Sequence, residues 1–174
     1  MIIIGLSGKK KTGKNTVATL ITNTTKKWVF EVSFGQFLKQ EVALACGVTV
    51  EHINKNKDQF RPILQWWGTD FRRASDNDYW LYRMDEMLVQ LTKEDKAQVV
   101  IITDVRFKNE ADYIRKLKGS LIRVSRDAGL NDNHISETDL DKYEKWDGII
   151  LNTGSMEQLG VEIKDVMNKL KIKL

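Results

Sequence analysis

The sequence predicts an α/β fold, a three-layer α/β/α sandwich on a mostly parallel central sheet. Three observations lead there. Short apolar runs alternate with stretches of helical periodicity along the chain, the pattern of successive βαβ units. The run Val99-Val100-Ile101-Ile102 is apolar on both faces, as a central parallel strand must be when helices cover both its sides. At the N-terminus, the apolar stretch from Met1 to Leu6 passes into a glycine-bounded loop and then a helical pattern.

At 174 residues the chain is expected to form a single domain, 1–174, with a sizeable core. A hydrophobic share of 41% beside 30% charged residues fits a globular protein and not a disordered one. No apolar run reaches the ~20 residues that span a bilayer, and no basic region precedes the apolar N-terminus, so neither a membrane span nor a signal peptide is read. The cytoplasm is the expected compartment. The one cysteine, Cys46, cannot pair within the chain, and next to Ala43, Leu44 and Ala45 it reads as a buried thiol. The net charge of +4 suits phosphorylated ligands without requiring nucleic acid.

In order, the first helix opens near Gly13 and lays Val17, Leu20 and Ile21 on the sheet. Trp28 to Phe34, β-branched and aromatic, reads as a second strand. The next helix carries Phe37, Leu38, Val42 and Ala45 inward and stops at Gly47. Asn54 to Lys57 reads as a loop. A regular amphipathic helix follows, with Phe60, Ile63, Leu64, Trp67 and Phe71 on its apolar stripe. Its other side carries Arg61, Gln65 and Arg72 near one face, with Gly68 between them. That glycine costs a helix up to about 1 kcal/mol relative to alanine, so a ligand close to the backbone is the expected reason for it.

Ser75 to Asp78 is a turn and cap cluster that launches a helix with Trp80, Leu81, Met84, Met87, Leu88 and Leu91 inward. The strand Gln98 to Thr103 carries Asp104 and Arg106 at its carboxyl end, where open α/β sheets bind ligands. Ala111, Ile114 and Leu117 line the next helix, closed by Gly119. Leu121 to Val124 and Gly148 to Asn152 are further strands. Ser155 and Gln158 form a capping box for a last helix with Met156, Leu159, Ile163, Val166, Met167 and Leu170 inward. The long connection 126–147 is expected to act as a lid, with a short helix started by Ser136.

The loop Gly8-Lys9-Lys10-Lys11-Thr12-Gly13-Lys14-Asn15-Thr16 fits the phosphate-binding pattern G-x-x-x-x-G-K-S/T in its proper strand–loop–helix context. Gly8 and Gly13 let backbone N–H groups converge on an anion, the helix adds its positive end, and Lys14 adds a full charge. Asn15 departs from the pattern, standing where a hydroxyl residue normally meets magnesium. Candidate triphosphate contacts are Gly8, Lys11, Gly13, Lys14, Asn15 and Thr16.

From here the chain resembles the phage-type deoxynucleoside monophosphate kinases, a branch of the P-loop nucleoside monophosphate kinases. The resemblance runs nearly end to end. It includes Leu6-Ser7-Gly8 with Gly13-Lys14-Asn15-Thr16, where the family commonly has aspartate in place of Asn15. It continues through Leu64-Gln65, Gly68-Thr69-Asp70 and Asp78-Tyr79-Trp80. It closes with Asp104-x-Arg106, His134-Ile135-Ser136-Glu137 and Asn152-Thr153-Gly154-Ser155. The resemblance implies a P-loop NTPase fold of the nucleoside monophosphate kinase type. It also implies transfer of the γ-phosphoryl group of ATP to a deoxynucleoside monophosphate with Mg²⁺, and a non-hydroxyl residue tolerated at position 15. It places His134 and Glu137 in a substrate-contacting segment.

Phosphoryl transfer needs positioning and charge neutralisation more than a base, and the chain offers no convincing base. Lys14, Arg106, Asp104 and Arg126 are the expected catalytic residues, Arg126 as the lid's arginine, preferred over Arg123 because Arg123 lies within a strand. Metal contacts, direct or through water, fall to Asn15, Thr16 and Asp104; Asp104 could instead orient the acceptor. Acceptor phosphate recognition falls to Arg106 with Arg61, then Arg72, and Lys39 assists. Gln65, Thr69 and Asp70 supply directional hydrogen bonds, Trp66 a stacking face, Gly68 close approach and Trp80 a wall. The partners are small-molecule nucleotides, with no stable nucleic-acid partner, no membrane and a possible homodimer; if the protein is phage-encoded the compartment is the host cytoplasm. Two other readings are a P-loop kinase for another acceptor, of dephospho-coenzyme A type, and a nucleotide-dependent nucleic-acid-binding module suggested by Lys9-Lys10-Lys11.

Overall fold

The computed structural model describes residues 1–126 and 133–173. Its elements are β1 (Ile2–Ser7), α1 (Lys14–Thr24), β2 (Val29–Val32), α2 (Phe34–Cys46), α3 (Val50–Lys55), α4 (Lys57–Gln65) and a π-helical stretch (Trp66–Arg73). They continue with α5 (Tyr79–Lys93), β3 (Val99–Val105), α6 (Lys108–Lys116), β4 (Ser120–Ser125), α7 (Ile135–Thr138), β5 (Gly148–Leu151) and α8 (Met156–Lys169). Where the sequence reads as one domain, the contacts gather in two compact units, Met1–Val32 with Leu91–Leu174, and Ser33–Gln90. Among the described residues no helix is long and apolar enough to cross a membrane.

The first unit holds a five-stranded parallel sheet in the order β2-β3-β1-β4-β5. Alternation along β1 explains its two covered faces. Ile4 and Leu6 point into a cluster with Val17 and Ile21 of α1 and with Leu159 and Ile163 of α8. Gly5 points the other way, where a Cβ would overlap Ile114 of α6, so α6 packs close on the opposite face. These are the outer layers of the predicted α/β/α sandwich. The β1–β3 register slips between Gly5 and Ser7, where the chain leaves the sheet for the loop.

Several local expectations change. Met156 is exposed, because the first residue of α8 points back past the helix start, off the packed face. Leu117, in the last turn after α6, is exposed as well, and Tyr113 is buried in that helix instead. The capping box of Ser155 and Gln158 forms as read.

The second unit is helical. Ser33 and Gln36 cap α2, and Gly47 ends it in the left-handed region at φ 64°. The expected buried thiol is overturned: Cys46 is exposed, as are Leu44 and Ala45, because the buried side of α2 ends with Val42 and Ala43. The expected loop over Asn54–Lys57 shrinks to a joint at Asn56. Thr49 accepts a hydrogen bond from the His52 N–H at 3.1 Å, which starts α3, and Ile53 packs into the cluster of Val42 and Ala43. The single amphipathic helix read across Phe60–Phe71 is α4 followed by the π-helical stretch. Its wider turns break the α periodicity on which a shared face for Arg61, Gln65 and Arg72 depends.

Candidate active site

The loop after β1 is shaped by two glycines. Gly13 sits at φ 94°, a left-handed conformation, and a Cβ there would overlap the Asn152 amide. At Gly8 a Cβ would strike the Val124 carbonyl and come within 2.7 Å of Thr12 Oγ1. Lys11 takes the left-handed region without being glycine, at φ 63°. Asn152 braces the loop from below, its buried side-chain amide donating to the Thr12 carbonyl at 2.9 Å. At the start of α1 no side chain caps the first turn and no acidic residue lies in it, so the positive helix end is free to meet an anion.

Lys14 folds back into the loop and donates to the carbonyls of Gly8 and Lys9 at 2.7 and 2.9 Å. Burial lowers its pKa to about 8, helped by the charge of Arg106, while Glu137 and Asp104 pull the other way. Arg106, just past β3, pairs with Glu137 and donates to the Ser136 carbonyl at 3.3 Å. Burial disfavours its charge, yet Glu137 and Asp104 outweigh that and raise its pKa. Glu137 also accepts the Lys10 backbone N–H at 3.0 Å, so one carboxylate ties α7 to both the loop and Arg106. Glu110 fixes the turn at Arg106 by accepting its backbone N–H at 2.7 Å and that of Phe107 at 3.1 Å.

Arg123 joins this group. Its guanidinium donates to Ser7 Oγ at 3.2 Å, lies 3.9 Å from Asp141 and stands over the Trp146 ring. Burial lowers its pKa against the pull of Asp141 and Glu137. The other carboxylate oxygen of Asp141 holds Lys9 at 2.6 Å. Arg126, preferred on sequence, is exposed just beyond β4. Lying within a strand is no bar to Arg123, because it sits at the carboxyl end of a parallel strand, where ligands bind. That position was the available signal.

The segment expected to be a lid, 126–147, includes residues 127–132, which lie outside the described residues. Beyond them α7 forms, but its cap is His134 rather than Ser136: the imidazole Nδ1 accepts from the Ser136 N–H at 3.2 Å.

The remaining acceptor candidates belong to the second unit. Gly68 is buried, a Cβ on it would come within 3.0 Å of Leu38 Cδ2, and its carbonyl accepts from the buried Trp80 indole at 3.0 Å. Packing against Leu38 therefore gives a reason for the glycine without any ligand. Trp66, half exposed, stacks on Phe71 at 5.5 Å with the rings 10° from parallel. Phe71, read as inward, is correspondingly exposed. Lys39 donates to Asn54 at 2.8 Å, and Arg61 lies 3.8 Å from Asp58. Gln65 and Thr69 are half-buried and Asp70 is exposed. Arg72 donates through Nε to Glu41 at 2.8 Å, a residue the sequence reading missed. Glu41 also accepts from the Trp67 indole at 2.9 Å and from the Tyr79 hydroxyl.

Three cations and the open end of a helix around a glycine-shaped loop can bind a polyphosphate and neutralise charge on transferring oxygens. The oxygens offered nearby are hard donors, the Thr16 hydroxyl, the Asn15 amide and the Asp104 carboxylate. Among the described residues no cluster of three or more His, Cys, Asp or Glu could hold a metal by itself. One carboxylate and a hydroxyl beside a phosphate site fit Mg²⁺, which keeps several waters and shares its ligands with substrate phosphates.

The fold is that of the P-loop kinases. It is similar to a Thermus thermophilus protein (TM-score 0.58, 18% identity, 97% of each chain). It is also similar to shikimate kinase of Aquifex aeolicus (0.53, 17% identity, 98% of this chain and 99% of that one). A gluconokinase of Sinorhizobium meliloti is likewise similar (0.54, 14% identity, 97% and 93%). At such identities the likeness concerns the fold alone. The family comes from sequence: the deoxynucleotide monophosphate kinase family matches residues 39–163, and this chain belongs to it. A protein of Acanthamoeba polyphaga mimivirus, provisionally named a deoxynucleotide monophosphate kinase, is 29% identical over 184 aligned positions covering 94% of both chains.

Proposed function

We propose that the chain is an ATP-dependent deoxynucleoside monophosphate kinase, moving the γ-phosphoryl group of ATP to the 5′-phosphate of a deoxynucleotide. The supporting observation is the convergence of Lys14, Arg106, Arg123 and Asp104 at the carboxyl ends of β1, β3 and β4, in a member of this family. The loop N–H groups and the α1 terminus cradle the donor phosphates. Lys14 leaves the Gly8 and Lys9 carbonyls for the outer phosphates, an exchange of neutral acceptors for charged ones. Arg106 presents its fork to the acceptor phosphate, and Arg123 neutralises the developing charge, with Arg126 assisting from the segment beyond β4. The acceptor oxygen is already ionised at neutral pH, so these residues orient and neutralise, and none needs to remove a proton. Asp104 and Thr16, with Asn15, would hold Mg²⁺ directly or through water, and the ion when bound would supply further neutralisation of the donor phosphates. The compartment that fits free nucleotide substrates is the cytoplasm.

The test is an assay of ADP release from ATP and Mg²⁺ with dTMP, dGMP, dCMP and dAMP supplied singly. At least one should stimulate release well above the acceptor-free rate, and its diphosphate should appear in equal amount. Lys14→Ala should lower turnover by roughly 10²-fold or more, as loss of a charge aimed at the transferring group does, while circular dichroism stays that of the wild type. No stimulation by any of the four would refute the reading.

A further inference from the structure

The stretch just before β5 carries a tryptophan, Trp146, and the chain fastens it from both sides. Asp147 clamps Leu121 of β4 in two directions. Its backbone N–H donates to the Leu121 carbonyl at 2.9 Å, and its carboxylate accepts the Leu121 N–H at 2.8 Å. The same register sets Arg123 opposite Ile149, so Trp146 arrives within reach of the Arg123 side chain. On the other side Tyr143 meets the indole edge to face, with ring centres 4.9 Å apart and planes at 66°. The Tyr143 hydroxyl accepts from Arg115 Nε on α6 at 3.1 Å. The same guanidinium donates to the Lys145 carbonyl and, at 3.3 Å, to Asp147. Arg115 thus grips Tyr143, Lys145 and Asp147 around the tryptophan.

What the tryptophan touches is Arg123, whose guanidinium carbon stands over the ring, 5.2 Å from its centre. Arg123 is held in a different way from Arg106. Arg106 pairs directly with Glu137, which occupies donors and offsets charge. Asp141 lies 3.9 Å from Arg123, beyond hydrogen-bond range, and its other oxygen is taken by Lys9 at 2.6 Å. Among the described residues, the hydrogen bond that Arg123 donates goes to the neutral Ser7 hydroxyl, at 3.2 Å. Burial disfavours the Arg123 charge, and an indole face offsets part of that cost because the ring quadrupole attracts a cation. A ring orients a guanidinium without engaging its N–H groups in charged hydrogen bonds. Those donors stay available to phosphate oxygens.

We propose that Trp146 is the positioning residue of Arg123, and that Arg115 acts on the same guanidinium at one remove, through Tyr143 and the backbone around the tryptophan. The consequence for phosphoryl transfer rests on the kinase reading; the seating of Arg123 on the indole does not.

The experiment compares wild type, Arg123→Ala, Trp146→Leu, Trp146→Phe and the double variant of Arg123→Ala with Trp146→Leu. Leucine keeps apolar bulk and removes the ring, whereas phenylalanine keeps a ring face. With ATP, Mg²⁺ and the accepted monophosphate saturating, Trp146→Leu should lower kcat roughly five- to tenfold and leave both KM values within about twofold. Trp146→Phe should recover part of the rate. Because Trp146 acts through Arg123, the double variant should match Arg123→Ala alone instead of multiplying the two effects. A wild-type kcat in Trp146→Leu, or multiplied effects in the double variant, would overturn the proposal. A second readout needs no turnover. In a nitrogen-resolved proton NMR spectrum of the protein alone, the Arg123 Nε–H signal is assigned by its loss in Arg123→Ala. It should carry an upfield ring-current shift that disappears in Trp146→Leu and persists, reduced, in Trp146→Phe. A signal unmoved by Trp146→Leu removes the proposal. If the shift is lost as expected but no monophosphate stimulates ADP release, the kinase reading falls and the seating of Arg123 stands. Should Trp146→Leu not fold, Arg115→Gln in the same two measurements decides. A lowered kcat with a diminished shift supports the proposal, and wild-type values of both overturn it.

Discussion

Lys14 shows at the scale of one residue how a site is built at a cost to stability. Its ammonium is buried against two carbonyls, and its pKa falls from 10.5 to about 8. Below the folded value the lysine is charged in both states, and burial of that charge weighs against the fold. Between about 8 and 10.5 the folded state has released the proton that the unfolded state still holds, so stability rises with pH across that window. Lys14→Met should therefore be more stable than wild type near neutral pH, with the difference shrinking as pH climbs through the window. Thermal unfolding of both proteins over a pH series measures this, and a difference independent of pH would contradict it. Arg123 teaches the companion lesson. The same burial lowers its pKa, and its contacts with Ser7, Asp141 and Trp146 set it beside the loop.

Among the elements, caps were readable and turns of unusual pitch were not. The boxes of Ser33 with Gln36 and Ser155 with Gln158 are local in sequence, so their chemistry is complete within four residues. Ser155→Ala leaves the Gln158 N–H without its side-chain acceptor and should cost about 1 kcal/mol. A denaturant midpoint lowered at unchanged slope would register that loss, while turnover should hold. The π-helical stretch carries no comparable local mark. Its apolar residues at intervals of three and four suit an α-helix, and what goes with the wider pitch is the convergence of Trp67, Arg72 and Tyr79 on Glu41, contacts that span 26 to 38 residues of sequence. Pitch here goes with tertiary partners.

For the whole molecule, the first unit's buried core is built on the sheet and the helices packed on it. Ile101 sits fully buried on β3, paired in register with Ile4 on one side and Glu31 on the other. Ile101→Ala should cost about 2–5 kcal/mol through lost transfer energy and the cavity left behind. Urea unfolding followed by circular dichroism would report it, and a cost under 1 kcal/mol would mean that the sheet collapses around the gap. The family match runs from residue 39 to 163 and so draws on residues of both units.

The sequence by itself determined the α/β class, the parallel sheet and the phosphate loop. Each rests on a repeating or contiguous pattern: strand runs apolar on both faces, helical spacing, two glycines and a lysine at fixed offsets. Tertiary structure decided what those patterns leave open. It placed Arg123 beside the loop, tied Glu137 to Lys10 and Arg106, exposed Cys46, and gave Gly68 a neighbour in Leu38. It also gathered Trp67, Arg72 and Tyr79 around Glu41. The physical reason is the same throughout. Periodicity fixes which way a side chain faces along its own element, but a charge or a glycine takes its role from residues that other elements bring to it, and no local spacing encodes those.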